Sequence, residues 1–450
     1  MPILIIAIIL LIYFSIKKPE YGLATYFVIR LCIPLSARFF FISFNTLSLV
    51  LLILLVIPTL IQRIFNLSKI QKKFIKILGS LIGVLLLLCF LPTVVPLNFQ
   101  LSRIIQFTIT ELLPAILVIL LIKKQKDYEI LCHTILWATL FTAIYGIFTF
   151  VTQSKPLFLL FAVDDSVIVD VSKLERAGIS GYSTGIYNDA IFLSLISLLL
   201  FIFLFNKHFL PQKILGITLI LTLIDLFLTT KRSAFICIII FFLILLYDPK
   251  YKKTIGKIFI LGSILSLIGI IFIPQLEGIR DMLLSSILFW DDDLQRELGT
   301  TGSSMEMRYN QFSNVFFLIK EYILQGMGYN FAEYYYTEIF DVETYGLDPD
   351  FLGFESYILK IATSSGLIGL IIWGITFFRF YNIMQNRISL KKYRYFQAFS
   401  IAYLIAIIMT DSSGSLYLFF SFIALNTIYS RIYANHSSNK ISNKMELNNF

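Results

Sequence analysis

The feature that most constrains this chain is a succession of apolar runs, many of them near the roughly 20 residues that a helix needs to cross about 30 Å of hydrocarbon. Thirteen candidate spans are separated by charged loops: 2–16, 22–35, 39–61, 75–97, 104–122, 130–152, 186–206, 214–230, 233–247, 255–273, 356–378, 395–410 and 415–433. Runs such as 47–61 and 236–246 are apolar on every face, which excludes the alternating pattern of a membrane β-barrel. Because the second span is short and holds Arg30, we predict an all-α polytopic membrane protein with 12 or 13 transmembrane helices.

The composition agrees with this class, since 58% of the residues are hydrophobic, 14% are charged and the mean hydropathy is +0.82. A net charge of +9 does not indicate a nucleic-acid partner, because 24 of the 37 basic residues fall in alternate loops. The positive-inside rule makes those loops cytoplasmic. The first run lacks a basic leader and a cleavage site, so we expect it to be retained with the N-terminus outside.

The opposite side receives two long segments, 153–185 and 274–355. The second holds 15 acidic and four basic residues, and acidic residues contribute little to orientation. Function is therefore expected on the outer side of a membrane domain that covers residues 1–435. Residues 436–450 are rich in Asn, Ser and Lys and are predicted to be a disordered cytoplasmic tail.

An amphipathic helix is predicted within the second outer segment, from about residue 304 to 324. Ser303 and Glu306 have the spacing of a capping box, and Gly326-Met327-Gly328 would end the helix. Its aromatic face suggests that it lies on the outer membrane surface or packs over the bundle.

Three outer sites contain cations that stand out against the acidic background. Lys231 and Arg232 occupy a very short outer turn, where they are either a snorkelling pair or an anion site at a helix start. Arg176 is either a solvated partner of Glu175 or an anion ligand. Arg308 is expected on the face of Phe312, Val315 and Ile319, pointing toward the membrane, where the alternative is a contact with lipid headgroups.

Carboxylates near or inside the spans are the other candidates. Glu355 lies at the outer start of a long span, where it either acts in chemistry or stabilises the helix N-terminus. Glu111 and Asp225 lie inside spans and Asp411 precedes one, and buried membrane carboxylates are functional candidates by default. No outer histidine, Walker motif or metal-binding motif is present in the sequence, so no metal or other cofactor is expected. The four cysteines lie in apolar runs and are expected to be core residues.

Four local segments, in this order, resemble the O-antigen polymerase and O-antigen ligase superfamily. They are Arg176-Ala177-Gly178-Ile179-Ser180-Gly181 leading to Ile186-Tyr187-Asn188-Asp189; Thr229-Thr230-Lys231-Arg232-Ser233-Ala234; Met307-Arg308-Tyr309 leading to Gly326-Met327-Gly328-Tyr329; and Glu355-Ser356-Tyr357 leading to Gly366-Leu367-Ile368-Gly369. The resemblance implies a GT-C-like bundle in the bacterial cytoplasmic (inner) membrane, with a metal-independent active site facing the periplasm or exterior. It also implies an undecaprenyl-diphosphate-linked oligosaccharide as substrate, with a chain-length regulator and a flippase as partners.

The resemblance also implies roles for particular residues. The cations expected to bind the substrate diphosphate are Arg176, Lys231, Arg232 and Arg308. Glu355 is the expected general base, and glycan contacts are expected from Tyr187, Asn188 and Tyr329. The arginine-ten-residues-glycine motif of some polymerases is absent, because Tyr187 and Ile319 stand eleven positions beyond Arg176 and Arg308.

Three functions remain open at this point. Ligases of the family usually carry a histidine where Glu355 stands, which favours an inverting polymerase over a ligase. A flippase or other transporter is the alternative from another class. It would be expected to show internal repeats and midplane functional groups with modest outer loops.

Overall fold

Helices make up almost all of the chain that can be described. The computed structural model describes residues 2–33, 37–39, 42–152, 185–205, 210–228, 232–246, 252, 256, 305–339, 356–385, 390–409 and 415–429. In this part of the chain the helices are α1 Pro2–Lys17, α2 Pro19–Cys32, α3 Phe44–Phe65, α4 Lys69–Leu88, α5 Leu97–Phe107, α6 Leu113–Leu121, α7 Gln125–Thr152, α8 Gly185–Phe205, α9 Gln212–Leu228, α10 Arg232–Leu246, α11 Met305–Leu318, α12 Phe331–Tyr334, α13 Tyr357–Gln385, α14 Leu390–Met409 and α15 Leu416–Tyr429. A short antiparallel hairpin pairs β1 Arg38–Phe39 with β2 Ile42–Ser43.

The predicted all-α membrane class is confirmed. Four helices in the described chain are long and apolar enough to cross a membrane: Phe44–Phe65, Leu97–Leu121, Gln125–Thr149 and Tyr357–Ile383. Shorter apolar helices accompany them: Ile3–Lys17, Ile191–Leu204, Ala234–Leu246, Gln397–Ile408 and Leu416–Tyr429. The count of 12 or 13 spans and the GT-C-like arrangement stay predictions. The predicted span 255–273, except residue 256, and the tail 436–450 lie outside the described residues.

Apolar runs form helices here because a helix satisfies every backbone group within its own segment, as hydrocarbon requires. The bundle is then joined through neighbouring pairs: α2 packs on α1 and α7, α7 on α9, α9 on α8, α10 on α14, and α13 on α4 and α14. An aromatic core links α13, α14 and α15, with Phe419 stacked on Tyr403 at a 4.3 Å centroid distance. Trp373 and Phe420 continue this core toward α4.

One end of the bundle, here called the basic end, holds the junctions of α1 with α2 and of α3 with α4, where Lys17, Lys18, Arg63 and Lys69 lie, and is fastened by polar contacts. Arg63 of α3 pairs with Glu20 of α2 at 2.6 Å and donates to the carbonyl oxygen of Leu121. Gln71, in a capping box with Ser68 at the start of α4, donates to the carbonyl oxygen of Ile119 at 2.7 Å. These contacts hold four helices at one level, opposite the end here called the outer end.

Residues 305–339, here called the outer segment, cover the outer end. They comprise α11, a 3-10 turn at Ile319–Glu321, a loop, α12 and a π-helical turn at Tyr335–Ile339. A small apolar core joins this segment to the chain before α5 and to α13: Val95, Val315, Ile319, Met327, Phe331, Leu359 and Ala362. The predicted helix over 304–324 is therefore present in shorter form, since it ends at Leu318 and not at the glycines. Gly326 and Gly328, with positive φ angles of 75° and 117°, lie in the loop between the 3-10 turn and α12.

Candidate active site

A buried ion pair lies between α2 and the helix pair α5–α6. The Nη2 atom of Arg30 stands 3.6 Å from Oε1 of Glu111, and the two side chains are only 5% and 11% exposed. Isolated charges are very costly in a membrane interior, so such residues pair with one another and mark functional regions. The sequence had singled out Glu111 without naming its partner, and the structure supplies Arg30.

Glu111 is presented by an irregular turn. Residues Thr108–Leu112 form a π-helical turn between α5 and α6, and Pro114 follows within the first turn of α6. A π turn adds a residue to the helical repeat and is found frequently at functional sites. Here it changes the direction in which Glu111 leaves the helix, so that the carboxylate meets α2 and α15.

The start of α15 completes the contacts of Glu111. The backbone N–H of Tyr417 donates to Oε2 of Glu111 at 2.8 Å. N–H groups in a first helical turn lack partners within the helix, so the carboxylate satisfies a donor that would otherwise be unpaired. The guanidinium of Arg30 lies over the Tyr417 ring, 4.3 Å from its centroid, in cation–π contact. Within the described part of the chain, Nε of Arg30 has no hydrogen-bond partner.

Tyr329, an expected glycan contact, lies in the outer segment and packs on Phe107, one turn before Glu111. Its backbone N–H donates to Oε1 of Gln100 at 2.9 Å, and its ring lies 6.3 Å from that of Phe107. Burial, and after it the negative charge of Glu111, raises the pKa of the Tyr329 phenol above its ordinary value. Its glycan role stays a prediction.

Further polar contacts fix the outer segment above α5. Arg103 of α5 forms an ion pair with Glu333, which also accepts from Asn330. Gln100 donates to Thr93 and to the carbonyl oxygen of Val95, both at 2.8 Å. The outer segment is thus held against the bundle on the side where Tyr329 enters it.

A break in α13 joins the outer segment to a span. Gly366 has φ 58° and ψ −157°, which interrupts the helix and frees backbone groups on either side. The N–H of Leu367 donates to the carbonyl oxygen of Ile323 at 2.9 Å, and the N–H of Met327 donates to that of Thr363 at 2.7 Å. A Cβ at Gly366 would lie 2.5 Å from the oxygen of Leu324, so the close approach requires glycine.

A second buried carboxylate lies between α7 and α9. Asp225 is 2% exposed, and a Cβ at Gly146 would stand 2.2 Å from its Oδ1, so α7 packs directly against the carboxylate. Its Oδ1 has no hydrogen-bond partner among the described residues. Buried threonines line the same two helices: Thr139, Thr142 and Thr149 on α7, and Thr218 and Thr222 on α9.

The predicted diphosphate and glycan ligands are only partly placed. Arg232 is the first residue of α10, as its predicted position at a helix start requires, and Arg308 lies in the first turn of α11. Tyr187 and Asn188 lie in the first turn of α8. The side-chain positions of these four residues, and the whole of Arg176, Lys231, Glu355 and Asp411, lie outside what the structure describes.

Sequence reasoning missed Arg30 and Tyr417 as members of the buried cluster. A signal for Arg30 was present, because an arginine inside a short apolar run needs a partner in the membrane. From the sequence alone, Arg30 counts only against the assignment of the second span. Nothing in the sequence pointed to Tyr417, whose contribution comes from a backbone N–H and a ring face.

Comparison with known protein families gives one match. Residues 217–374 match the family described as O-Antigen ligase, a stretch that runs from α9 to the middle of α13. It contains Arg232, Arg308, Tyr329 and the break at Gly366. No curated protein matches the chain. The match over residues 217–374 supports membership of the chain in the superfamily of O-antigen ligases and polymerases.

Proposed function

We propose that the chain is a polysaccharide polymerase for O-antigen or capsule. In the proposed reaction, a growing glycan passes from undecaprenyl diphosphate onto the next lipid-linked repeat unit, at the outer face of the cytoplasmic membrane. The observation that carries the proposal is the family match over 217–374, which supports a function of the O-antigen ligase or polymerase type. The buried polar cluster around Glu111, within an apolar bundle, suits a substrate with a polar head and an isoprenoid tail.

Charge development in the reaction explains why arginines are proposed as the diphosphate ligands. The bond between the sugar carbon and the phosphate oxygen breaks, and negative charge builds on the departing diphosphate. Preplaced guanidinium groups stabilise that charge more in the transition state than in the substrate. We assign this role to Arg176, Arg232 and Arg308, with Lys231, and the reaction then requires no metal ion.

The acceptor hydroxyl must lose its proton as the new glycosidic bond forms. Glu355 directly precedes Ser356 and Tyr357 at the start of α13, and we assign it as general base in an inverting displacement. Tyr187, Asn188 and Tyr329 are assigned to the glycan. The described position of Tyr329 supports this only in part, because its ring packs on Phe107 and its O–H is the group left to bind a sugar hydroxyl.

A ligase that transfers the glycan to a lipid A core is the second candidate function. The resemblance implies that ligases of the superfamily usually carry a histidine where Glu355 stands, and this is the ground on which we propose the polymerase. A flippase is the third candidate, and the family match argues against it.

The test uses purified protein in nanodiscs with a synthetic lipid-linked repeat unit. We expect products of increasing length in the presence of a chelator, and no transfer to a lipid A core acceptor. Arg232→Lys and Arg308→Lys should each lose activity, because lysine cannot form the bidentate contact with phosphate. Arg38→Lys is the matched control, since Arg38 is exposed in the outer hairpin. Transfer to the core acceptor alone would establish a ligase, and unchanged product length in both variants would refute the diphosphate assignment.

A further inference from the structure

We propose that the outer segment is re-entrant: residues 319–331 lie at the depth of the outer leaflet, and an aromatic side of α11 faces the lipid acyl chains. The sequence suggested either a surface helix or a helix packed over the bundle. The described contacts support a helix that packs on the bundle on one side and faces lipid on another. They also support a greater depth in the membrane than either alternative implies. This inference does not depend on the proposed function.

The depth follows from counting residues from the basic end. Arg30 lies 12 residues beyond Lys18 on α2, and Glu111 lies 12 residues before Lys123 on the helix pair α5–α6. At a rise of 1.5 Å per residue, both members of the ion pair stand about 18 Å from the cytoplasmic boundary. The hydrocarbon is about 30 Å thick, so the pair lies about 12 Å below the outer boundary, and any helix tilt would place it deeper.

The outer segment reaches this depth through Tyr329. The tyrosine ring packs against Phe107, one turn before Glu111, and the Tyr329 backbone N–H donates to Oε1 of Gln100 at 2.9 Å. The chain on either side of Tyr329, from Met327 to Phe331, belongs to the apolar core shared with α13. A loop in outer water would not reach this level.

The backbone of the segment meets the condition for irregular structure within a membrane. Irregular backbone at membrane depth is tolerated only where protein buries it and satisfies its polar groups. The N–H groups of Leu367 and Ile368, freed by the break in α13, donate to the carbonyl oxygens of Ile323 and Leu324 at 2.9 and 3.1 Å. The carbonyl oxygen of Met327 accepts from the N–H groups of Val94 and Val95 at 2.9 and 3.1 Å.

The residues of α11 and of the 3-10 turn that follows it divide into three sectors that match such a position. One sector is buried against the bundle: Gln311, Val315 and Ile319. An adjoining sector carries exposed aromatic rings at intervals of three and four residues: Tyr309, Phe312 and Phe316. The remaining sector holds mostly polar positions, including Asn310, Ser313 and Lys320, with Phe317 as the exception.

The aromatic sector is continuous with an exposed apolar surface on α13. On α13 the large exposed apolar residues begin at Leu367 and include Ile371, which is 61% exposed. Ile323 and Leu324 are bonded to α13 at that point, and Leu324 is 56% exposed. Phe316, 61% exposed, continues this apolar surface along the outer segment. Aromatic rings are favoured at the boundary between acyl chains and headgroups, so we commit to outer-leaflet lipid as the partner.

Single cysteines in reconstituted full-length protein test the inference, with the four native cysteines replaced by alanine. Leu324→Cys reports the proposed lipid contact, Ser313→Cys the polar sector, and Ile371→Cys the lipid-facing side of α13. Each variant is first checked for a native elution profile, with Ile323→Cys held as a substitute for Leu324→Cys. Bimane is attached in detergent, and the protein is then placed in vesicles that contain lipids with a nitroxide on the acyl chain.

We expect nitroxide lipids to quench bimane at positions 324 and 371 and to leave position 313 unquenched. An impermeant charged thiol reagent should modify Ser313→Cys in vesicles and leave Leu324→Cys unmodified. Rapid modification of Leu324→Cys with no quenching would overturn the inference and return the segment to a water-exposed loop. A Leu324→Cys site that is neither modified nor quenched would also overturn it, because protein rather than lipid would then cover the surface.

Discussion

The guanidinium of Arg30 and the carboxylate of Glu111 lie 3.6 Å apart in the interior of the bundle, although 80 residues separate them in the chain. Breaking a buried pair by removing one partner costs about 3–5 kcal/mol, because the other charge is left unpaired. We expect Glu111→Gln to lower the free energy of unfolding by more than Arg30→Met does. A carboxyl left alone can take up a proton and become neutral, whereas a guanidinium cannot lose its proton in proteins. Thermal unfolding in detergent would measure the difference.

The double variant Arg30→Met, Glu111→Gln is the decisive member of this series. Since neither charge then remains, the stability lost in the double variant should fall well below the sum of the stability losses in the two single variants. The pair Arg103–Glu333 is the control, with side chains 28% and 40% exposed, and breaking it should cost no more than about 1 kcal/mol. The prediction would be contradicted if breaking the Arg30–Glu111 pair and breaking the Arg103–Glu333 pair lowered stability equally. It would also be contradicted if the stability losses of Arg30→Met and Glu111→Gln were additive.

The helix positions could be predicted from the sequence because apolar runs of the required length leave the backbone little alternative in lipid. The ion pair between Arg30 and Glu111 could not be predicted, because its members lie on separate spans and the π turn shifts Glu111 from the regular helical phase. The expected face of α11 was wrong in part: Val315 and Ile319 are buried together, but Phe312 is half exposed. Both lipid and protein accept apolar side chains, so hydropathy alone does not separate the two faces.

The break in α13 leads to a second prediction, concerning Gly366. Its φ and ψ fall in a region that only glycine adopts readily, and a Cβ would meet the backbone of Leu324 and Gly326 at 2.5–2.6 Å. Gly366→Ala should therefore destabilise the protein by about 3 kcal/mol or more. Gly374→Ala on the same helix is the control, because a Cβ there meets nothing within 4 Å. A melting temperature that falls equally in both variants would show that the close approach of the outer segment is not what requires glycine.

The packing of α7 on Asp225 leads to a third prediction. Gly146→Ala places a methyl group 2.2 Å from Oδ1 of Asp225, so the two helices must move apart, at a cost of about 1–3 kcal/mol. Adding Asp225→Ala removes the clashing carboxylate and should recover part of this loss. Gly83→Ala serves as control, since nothing lies within 4 Å of a Cβ there. Strictly additive losses for positions 146 and 225, measured by thermal unfolding, would rule out the contact.

The fourth prediction concerns Glu355, the assigned general base. A helix start stabilises a carboxylate and so weakens it as a base, and neighbouring Phe351 and Phe354 would have to desolvate it to restore basicity. Glu355→Gln keeps the shape of the side chain and removes the basicity. We expect the variant to bind the lipid-linked repeat unit normally but to turn over at least about 100-fold more slowly, leaving single units unpolymerised. Glu338→Gln, an exposed carboxylate of the outer segment, is the matched control and should polymerise normally. Near-normal polymer from Glu355→Gln would remove the base role from Glu355 and make Asp411 the next carboxylate to substitute.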